Sequence, residues 1–314
     1  MQDDHFVSEF LIKSFSVSGY VQVFNKKLKK IGKPKTPGQI CYLRGFTTFE
    51  KKDVPPGWDE NFLEKQLLKW ENQIAPIHKT LVSHRTIEAI SVGDFWELVR
   101  FAVWLHQCNP AIRQMLKKAW SQYHLKKVRA LRGQDLDQLS LKFFGLLLPH
   151  AYLRELLDSA AGKEQLLQSE FLGMVLGQAD SSFRLVMEQY AWRLDDYKDS
   201  GHLICTSDRP VLLGCPKLDG QVGFGSEEAT LHFPLSPDLC LLGKNVGKGE
   251  GFVIPNSKIS DHRIPGLVRL LMWAKSSNLI IASDKSVLPP PGADVPTYVP
   301  EAIDFGDKIG MLMR

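Results

Sequence analysis

Apolar residues change their spacing twice along this chain, and this change constrains the fold more than any other feature of the sequence. Strand-like alternation near the start gives way to steps of three and four residues from about 59 to 197, and short β-rich runs return from about 200 to 288. Strands at both ends of a helical middle predict an α+β fold. In that fold, the N-terminal β-hairpin and the C-terminal antiparallel strands share one sheet around a large central helical region.

The first unit, residues 5–50, is predicted to contain a short helix and a β-hairpin. The spacing of the phenylalanines predicts an amphipathic helix over 6–15. Alternation of apolar and polar residues predicts a strand over 20–24, a polar turn over 25–36 and a return strand over 39–43.

The remaining elements follow from the same periodicities. Helices are predicted at 111–130, 135–158, 163–177 and 181–197, after a first helical run that begins near Asp59. Strands are predicted at 202–205, 211–213, 230–233, 239–242 and 278–282, with a helix at 264–276. We interpret residues 1–288 as a single domain and 289–314 as a proline-rich extended tail. A split into two domains near Lys198 is the alternative.

Composition indicates a soluble protein of the cytoplasm with no membrane partner. No run approaches the roughly 18 consecutive apolar residues that span a bilayer. The start lacks the basic segment and the long apolar run of a secretory signal. The five cysteines are scattered and form no Cys-x-x-Cys pair, which is typical of reduced thiols.

Charges are segregated along the chain. No Asp or Glu occurs between Leu98 and Gln134, a stretch that also contains Trp120 and Tyr123, and a second basic cluster spans 26–35. This pattern favours a positive surface that binds RNA or DNA. The candidate nucleic-acid-binding residues are Arg113, Lys117, Lys118, Lys126, Lys127 and Arg129. The alternative is a solvated helix face together with a lysine-rich hairpin that protects a strand edge from aggregation.

Short motifs spread over the chain follow the order and spacing of a known family. They are His5-Phe6-Val7-Ser8-Glu9-Phe10, Val21-Gln22-Val23-Phe24-Asn25-Lys26, Leu63-Glu64, Trp70-Glu71, Thr206-Ser207-Asp208-Arg209-Pro210-Val211 and Phe233-Pro234-Leu235-Ser236-Pro237. Over about residues 5 to 284, the chain resembles the large uncharacterised family named domain of unknown function 4238. Ser8 stands where that family usually has proline, and Cys108 stands where an arginine is expected. The resemblance implies a fold and a set of polar positions, but no reaction.

Three polar residues in the first part of the chain are candidates for chemistry. A neutral imidazole accepts a proton near neutral pH, so His5 is a candidate general base or metal ligand, although it could equally anchor the first helix. Glu64 and Glu71 are seven residues apart and therefore lie on nearly the same face of one helix. One of these carboxylates could be partly buried, with a raised pKa, or both could face solvent and pair with nearby lysines.

Asp208 is the candidate in the last part of the chain. It follows an apolar run and precedes Arg209-Pro210, which predicts a position at the end of a strand. Carboxylates at strand ends are well placed for catalysis or for binding Mg²⁺. The same residue types also form Asx turns, in which the side chain bonds the backbone ahead of proline. Both interpretations stay open for Asp208.

The combination of a basic surface with His5, Glu71 and Asp208 predicts a nuclease acting on RNA or DNA, as a toxin or defence effector. In this hypothesis the enzyme is either metal-assisted or dependent on His5, and Lys13 or Arg113 stabilises phosphate charge. The candidate metal ligands, for Mg²⁺, are Glu64, Glu71 and Asp208. The alternative is a non-catalytic module that binds nucleic acid or protein, in which the polar motifs join the terminal strands to the helical core.

Overall fold

A computed structural model of the chain describes residues 3–44, 46–47, 61–119, 132–144, 147, 149–151, 153–154, 180–214, 223–249 and 253–295. Both helices and largely antiparallel sheets are present, which confirms the α+β prediction. The helices include α1 (Glu9–Lys13), α2 (Phe62–His84), α3 (Val92–Gln107), α4 (Pro110–Ala119), α5 (Gln134–Phe144), α6 (180–189) and α7 (Arg263–Lys275). None of the helices in these ranges is long and apolar enough to cross a membrane.

Eleven strands are present within the described ranges. They are β1 (Asp3–His5), β2 (Gln22–Asn25), β3 (Lys30–Ile31), β4 (Tyr42–Arg44), β5 (Tyr190–Asp196), β6 (Thr206–Ser207), β7 (Leu212–Gly214), β8 (Thr230–Ser236), β9 (Leu239–Asn245), β10 (Val253–Lys258) and β11 (Leu279–Ala282). They form a two-stranded sheet β1-β4, a four-stranded sheet β3-β2-β11-β6 and a five-stranded sheet β10-β5-β9-β8-β7.

The four-stranded sheet joins the two ends of the chain, as predicted. Strand β11 is antiparallel to both β2 and β6, and Ile281 lies opposite Val23. The predicted return strand over 39–43 was wrong. The turn after β2 is only four residues long, because Asn25 accepts a hydrogen bond from the Leu28 amide and the chain turns back at once into β3. Residues 42–44 instead pair with β1.

The five-stranded sheet corrects two further predictions. Most of the C-terminal strands belong to this separate sheet, and only β6 and β11 join the N-terminal hairpin. Residues 190–196, predicted as the end of a helix, form β5, so the helical region ends at 189. Six of the seven residues of β5 are buried, so this central strand shows no alternation that would distinguish it from a buried helix. Strand β10, parallel to β5, was not predicted.

Helices α1, α2, α3 and α6 pack with strands of the larger sheets around one apolar core. Helix α2 contacts α3 through Trp70, whose ring lies 5.3 Å from Phe101 and 6.0 Å from Trp104. This core is continuous from α1 and β2 through α3 to the five-stranded sheet. Helix α7 contributes Met272 to a second apolar cluster, which also contains Ile280 and Ala282 of β11. The predicted helix at 163–177 and most of the predicted tail, 296–314, lie outside the described residues.

Candidate functional site

A group of polar side chains gathers where β1, the start of α1 and helix α2 meet. We call it the N-terminal polar cluster, and it consists of Asp4, His5, Ser8, Thr47, Glu64 and Glu71. Asp4, Ser8 and Thr47 are buried, whereas His5 and the two glutamates are half-buried. The cluster therefore lies at the edge of the core, where polar groups are partly withdrawn from water but still within reach of it.

Hydrogen bonds hold both glutamates of the cluster in place. The Ser8 hydroxyl donates to Oε1 of Glu71. The Thr47 hydroxyl donates to Oε2 of Glu64 at 2.7 Å, and the Thr47 amide donates to Oδ2 of Asp4 at 2.9 Å. Ser8 precedes α1, and Glu64 and Glu71 are two turns apart on α2, so these bonds connect three segments far apart in the sequence.

Burial raises the pKa of both glutamates above their ordinary value. At Glu71 the hydrogen bond from Ser8 opposes this rise, the charge of Glu64 adds to it, and His5 opposes it. At Glu64 the bond from Thr47 opposes the rise, while the Asp4 carboxylate adds to it. Two carboxylates that hold protons more tightly than usual next to an imidazole are the groups that general acid–base catalysis requires.

The imidazole of His5 has a free nitrogen. Its Nε2 atom is buried and has no hydrogen-bond partner among the described residues. The His5 ring lies 5.9 Å from the ring of Tyr42, its partner across β1 and β4. Buried polar atoms without a partner are uncommon in folded proteins, and a catalytic role or a bound water or ion is among the explanations for them.

Cys108, which interacts electrostatically with Glu64, replaces the positive charge that the family resemblance leads us to expect here. Burial, followed by the charge of Glu64, raises the pKa of its thiol. The family resemblance places an arginine at this position, and an arginine beside Glu64 would lower the pKa of that carboxyl group. The thiol of Cys108 is neutral near pH 7, so it supplies no positive charge that would oppose the raised pKa of Glu64.

The raised pKa of Glu71 predicts a pH-dependent effect of Glu71→Gln on stability. The folded state holds the Glu71 proton more tightly than the unfolded state, so ionisation of Glu71 lowers the stability of the wild type as pH rises above 4.5. A glutamine side chain does not ionise, so the variant does not lose stability in this way. We therefore expect the melting temperature of Glu71→Gln, relative to the wild type, to increase between pH 4.5 and pH 7. The matched control is Glu88→Gln, which removes a carboxylate at an exposed position outside the cluster.

Asp208 is buried, and its contacts are with the backbone that connects α7 to β11. Its carboxylate accepts hydrogen bonds from three successive backbone amides, at 2.9 Å from Ser277, 2.7 Å from Asn278 and 2.9 Å from Leu279. Its own amide donates to the Leu279 carbonyl, and its carbonyl accepts from the Asn109 side chain at 2.8 Å. The structure thus gathers His5, Glu64 and Glu71 in one cluster and joins Asp208 to the segment between α7 and β11.

Two cations surround Asp208, and the sequence pointed to neither as part of a site. Lys26 is buried, and its Nζ donates to the carbonyls of Trp273 and Ser276 at the C-terminal end of α7, at 2.8 Å each. Burial lowers the pKa of Lys26 to about 8, and the charge of Asp208 opposes this fall. Arg209 donates to the Lys275 carbonyl. The only sequence signal for Lys26 was its position at the end of a motif shared with the family.

Asp284 follows β11 and, like Asp208, comes directly after a serine at the end of a strand. Asp284 is exposed and accepts a hydrogen bond from the Ser286 amide, capping its own short turn. Asp208 bonds a distant segment. The two aspartates therefore have different environments and different partners.

The candidate metal ligands do not converge in the part of the chain that is described. Within those residues, no three His, Cys, Asp or Glu side chains lie in positions that could hold a metal ion. Glu64 and Glu71 belong to the N-terminal polar cluster, and Asp208 is bonded to backbone amides. A role for Mg²⁺ at Glu64 and Glu71 stays a prediction, because carboxylate oxygens are the ligands that this ion prefers.

The predicted phosphate-binding residues are only partly described. Lys13 is exposed in the last turn of α1, and Arg113 is half-buried on α4. Lys117 and Lys118 lie on α4, where only their backbone is described. Lys126, Lys127 and Arg129 lie outside the described residues. The predicted positive surface over this segment therefore stays a prediction.

The fold and the cluster define an α+β protein with a histidine and two glutamates at the edge of its core. A family model described as "Protein of unknown function (DUF4238)" matches residues 4–251, which is most of the chain, so this protein belongs to that family. The match covers the whole N-terminal polar cluster and Asp208, and it ends before β10. Neither a curated protein nor a solved structure matches the chain.

Proposed function

We propose that this protein cleaves phosphodiester bonds in RNA or DNA, with His5 and Glu71 as its general acid–base pair. The observation that carries the proposal is the buried, unpartnered Nε2 of His5 beside two carboxylates whose pKa is raised. Perturbed carboxylates that interact with an imidazole are characteristic of catalytic sites, although structural networks also perturb pKa values.

The chemistry requires one group to accept a proton and another to donate one. In RNA the ribose 2′-hydroxyl, or in either nucleic acid a water molecule, attacks phosphorus while the leaving 5′-oxygen is protonated. The free Nε2 of His5 can accept the proton of the nucleophile. Glu71, whose pKa burial raises, retains a proton at a higher pH than an exposed glutamate and can donate it to the leaving oxygen. Ser8 and Thr47 keep the two glutamates oriented.

The cellular setting that we propose is the cytoplasm, with a role as a toxin or defence effector. Four of the five cysteines lie within the described residues, and all four are buried free thiols. Free thiols are usual in a reducing compartment, and this supports the proposal. A nuclease in the cytoplasm acts directly on the nucleic acids of its own cell, so its effect there would be toxic.

A cleavage assay with matched variants tests the proposal. Purified wild type, His5→Asn and Glu71→Gln are incubated with single-stranded RNA and DNA, with Mg²⁺ or with EDTA. We expect the wild type to cleave at least one substrate and each variant to lose about a hundredfold in rate, the lower range for removal of a general acid or base. The exposed residues His84 and Glu88, on the same part of the chain, supply the controls His84→Asn and Glu88→Gln, which should cleave normally. Intact substrates with wild type under every condition, or full activity in both cluster variants, would reject the proposal.

A second candidate function is a non-catalytic module that binds nucleic acid or protein. The contacts of Asp208 favour it for that residue, because its carboxylate joins backbone segments and leaves neither oxygen without a hydrogen bond. For this alternative we expect no cleavage by the wild type, together with a lower melting temperature when Asp208 is replaced.

A further inference from the structure

A cavity of about 330 Å³ lies between the N-terminal hairpin and strand β4. We call it the lysine-lined cavity. Its walls come from β2, β3, the short turn at 37–39, the start of β4 and the first residue of β11. Its lining residues include Val23, Leu28, Lys30, Lys33, Lys35, Ile40, Cys41, Tyr42 and Leu279. This volume is in the lower range of sites that bind small molecules or single groups of larger ligands, roughly 300 to 1,000 Å³.

The cavity combines an apolar floor with a cationic rim. Val23 and Ile40 are buried and form part of the floor. Lys30, Lys33 and Lys35 are exposed at the rim, and none of them forms an ion pair with a carboxylate in the described part of the chain. Three exposed ammonium groups beside an apolar pocket suit a ligand with both negative charges and a flat apolar body.

Tyr42 connects this cavity with the N-terminal polar cluster. Tyr42 lines the cavity and is 42% exposed. The same ring lies 5.9 Å from the ring of His5. A second connection is the hydrogen bond from the Phe6 amide to the Cys41 carbonyl, at 3.0 Å. A ligand in the cavity that contacts Tyr42 is therefore separated from His5 by the Tyr42 side chain alone.

We propose that the lysine-lined cavity binds one nucleotide of single-stranded RNA or DNA, and this proposal rests on the nuclease function. The base enters the cavity, contacts its apolar floor and stacks on Tyr42. Lys30, Lys33 and Lys35 bind the flanking phosphates. Exposed aromatic rings and a cationic groove are the usual elements of single-strand binding. A duplex keeps the faces of its bases inside the stack, so it cannot place a base in this cavity. The nucleotide held here sets the neighbouring phosphodiester bond at His5.

Equilibrium binding tests the cavity separately from catalysis. Fluorescence anisotropy is measured with fluorescein-labelled short oligonucleotides that resist cleavage, one of 2′-O-methyl RNA and one of phosphorothioate DNA, and with a duplex of the same sequence. The triple variant Lys30→Gln, Lys33→Gln, Lys35→Gln is compared with Lys198→Gln, Lys258→Gln, Lys285→Gln. The second triple variant removes the same charge at exposed positions outside the cavity.

We expect the first triple variant to raise Kd for the single strands by roughly tenfold to a hundredfold, because about three phosphate contacts are lost. The control triple variant should change Kd by less than about threefold. Tyr42→Leu should raise Kd at least about fivefold, and Tyr42→Phe, which keeps the ring, should bind as the wild type does. The slope of log Kd against log salt should also become shallower in the first triple variant only.

Each other result overturns the cavity proposal and leaves the nuclease proposal to its own assay. If the wild type binds neither single strand, the cavity is rejected as a nucleotide site. An equal rise of Kd in both triple variants rejects it too. Equal affinity for the duplex rejects the preference for single strands. Conversely, normal binding by the wild type without any cleavage of natural RNA or DNA rejects the nuclease function while the nucleotide site stands.

Discussion

Asp208→Asn is expected to lower the free energy of unfolding by about 3 to 5 kcal/mol, the range for removing one member of a buried charged network. The two carboxylate oxygens of Asp208 accept hydrogen bonds from three backbone amides. An asparagine side chain has one oxygen and one NH₂ group, so at least one amide would face another donor and lose its acceptor. The buried ammonium group of Lys26 would also lose the negative charge of Asp208, which favours its protonated form.

Urea unfolding followed by tryptophan fluorescence measures this change, since Trp273 and Trp192 lie in α7 and β5. Asp284→Asn is the matched control: Asp284 also follows a Ser at a strand end, but it is exposed and caps a turn, where asparagine serves equally well. We expect the control to change stability by less than about 1 kcal/mol. A loss at Asp208 no larger than the control's would show that the amide contacts do not stabilise the fold.

Arg85→Met is expected to cost about 3 kcal/mol, again because it leaves a buried carboxylate without its partner. Arg85 follows helix α2 and forms two hydrogen bonds with the carboxylate of Asp196 at the end of β5. Its guanidinium also bonds Asp238, at 3.2 Å to the carboxylate and 3.0 Å to the carbonyl, in the turn between β8 and β9. Asp196 is only 9% exposed at its side chain, so water cannot replace the arginine fully.

The same pair sets a pH dependence whose sign can be stated. The hydrogen bond from Arg85 lowers the pKa of Asp196 below its ordinary value of 3.8. Its stabilising contribution is therefore fully present above pH 3.8 and is lost as pH falls through the lowered pKa. We expect the difference in stability between wild type and Arg85→Met to be largest at neutral pH and to shrink in acid.

Chemical denaturation of two further variants isolates the pair. The double variant Arg85→Met, Asp196→Asn removes both charges and should recover part of the loss, because no buried charge is left unpaired. Arg263→Met removes the partner of Asp261 from a pair whose arginine is exposed and should not change the free energy of unfolding measurably. Equal losses in Arg85→Met and Arg263→Met would contradict a special role for Arg85.

These two predictions bear on function because they concern the parts that position the candidate site. Asp208 fixes the junction of α7 and β11, and β11 pairs with the hairpin strand β2, which also lines the lysine-lined cavity. Arg85 fixes the end of α2, the helix that carries Glu64 and Glu71. If the cluster is catalytic, Asp208→Asn should lower the amount of folded protein more than the rate of cleavage per folded molecule.

Local pattern in the sequence was sufficient for several features. Period and turn residues predicted the α+β class, helix α7 and strand β11 to within a residue or two. The spacing of Glu64 and Glu71 placed both on one face of one helix, because an α-helix turns every 3.6 residues. The family followed from short motifs in a fixed order, and the match over residues 4–251 confirmed it.

Tertiary structure alone decided the rest, because these features depend on contacts between residues distant in sequence. Strand β5 is buried on both faces, so no local alternation marks it, and only its place between β9 and β10 makes it a strand. The sequence around Asp208 fits both a metal ligand and a turn residue, and only the fold brings the amides at 277–279, about seventy positions away, to its carboxylate. Ser8, Thr47 and Tyr42 entered the candidate site in the same way. Side-chain chemistry is written in each residue, but its partners are set by how the chain packs.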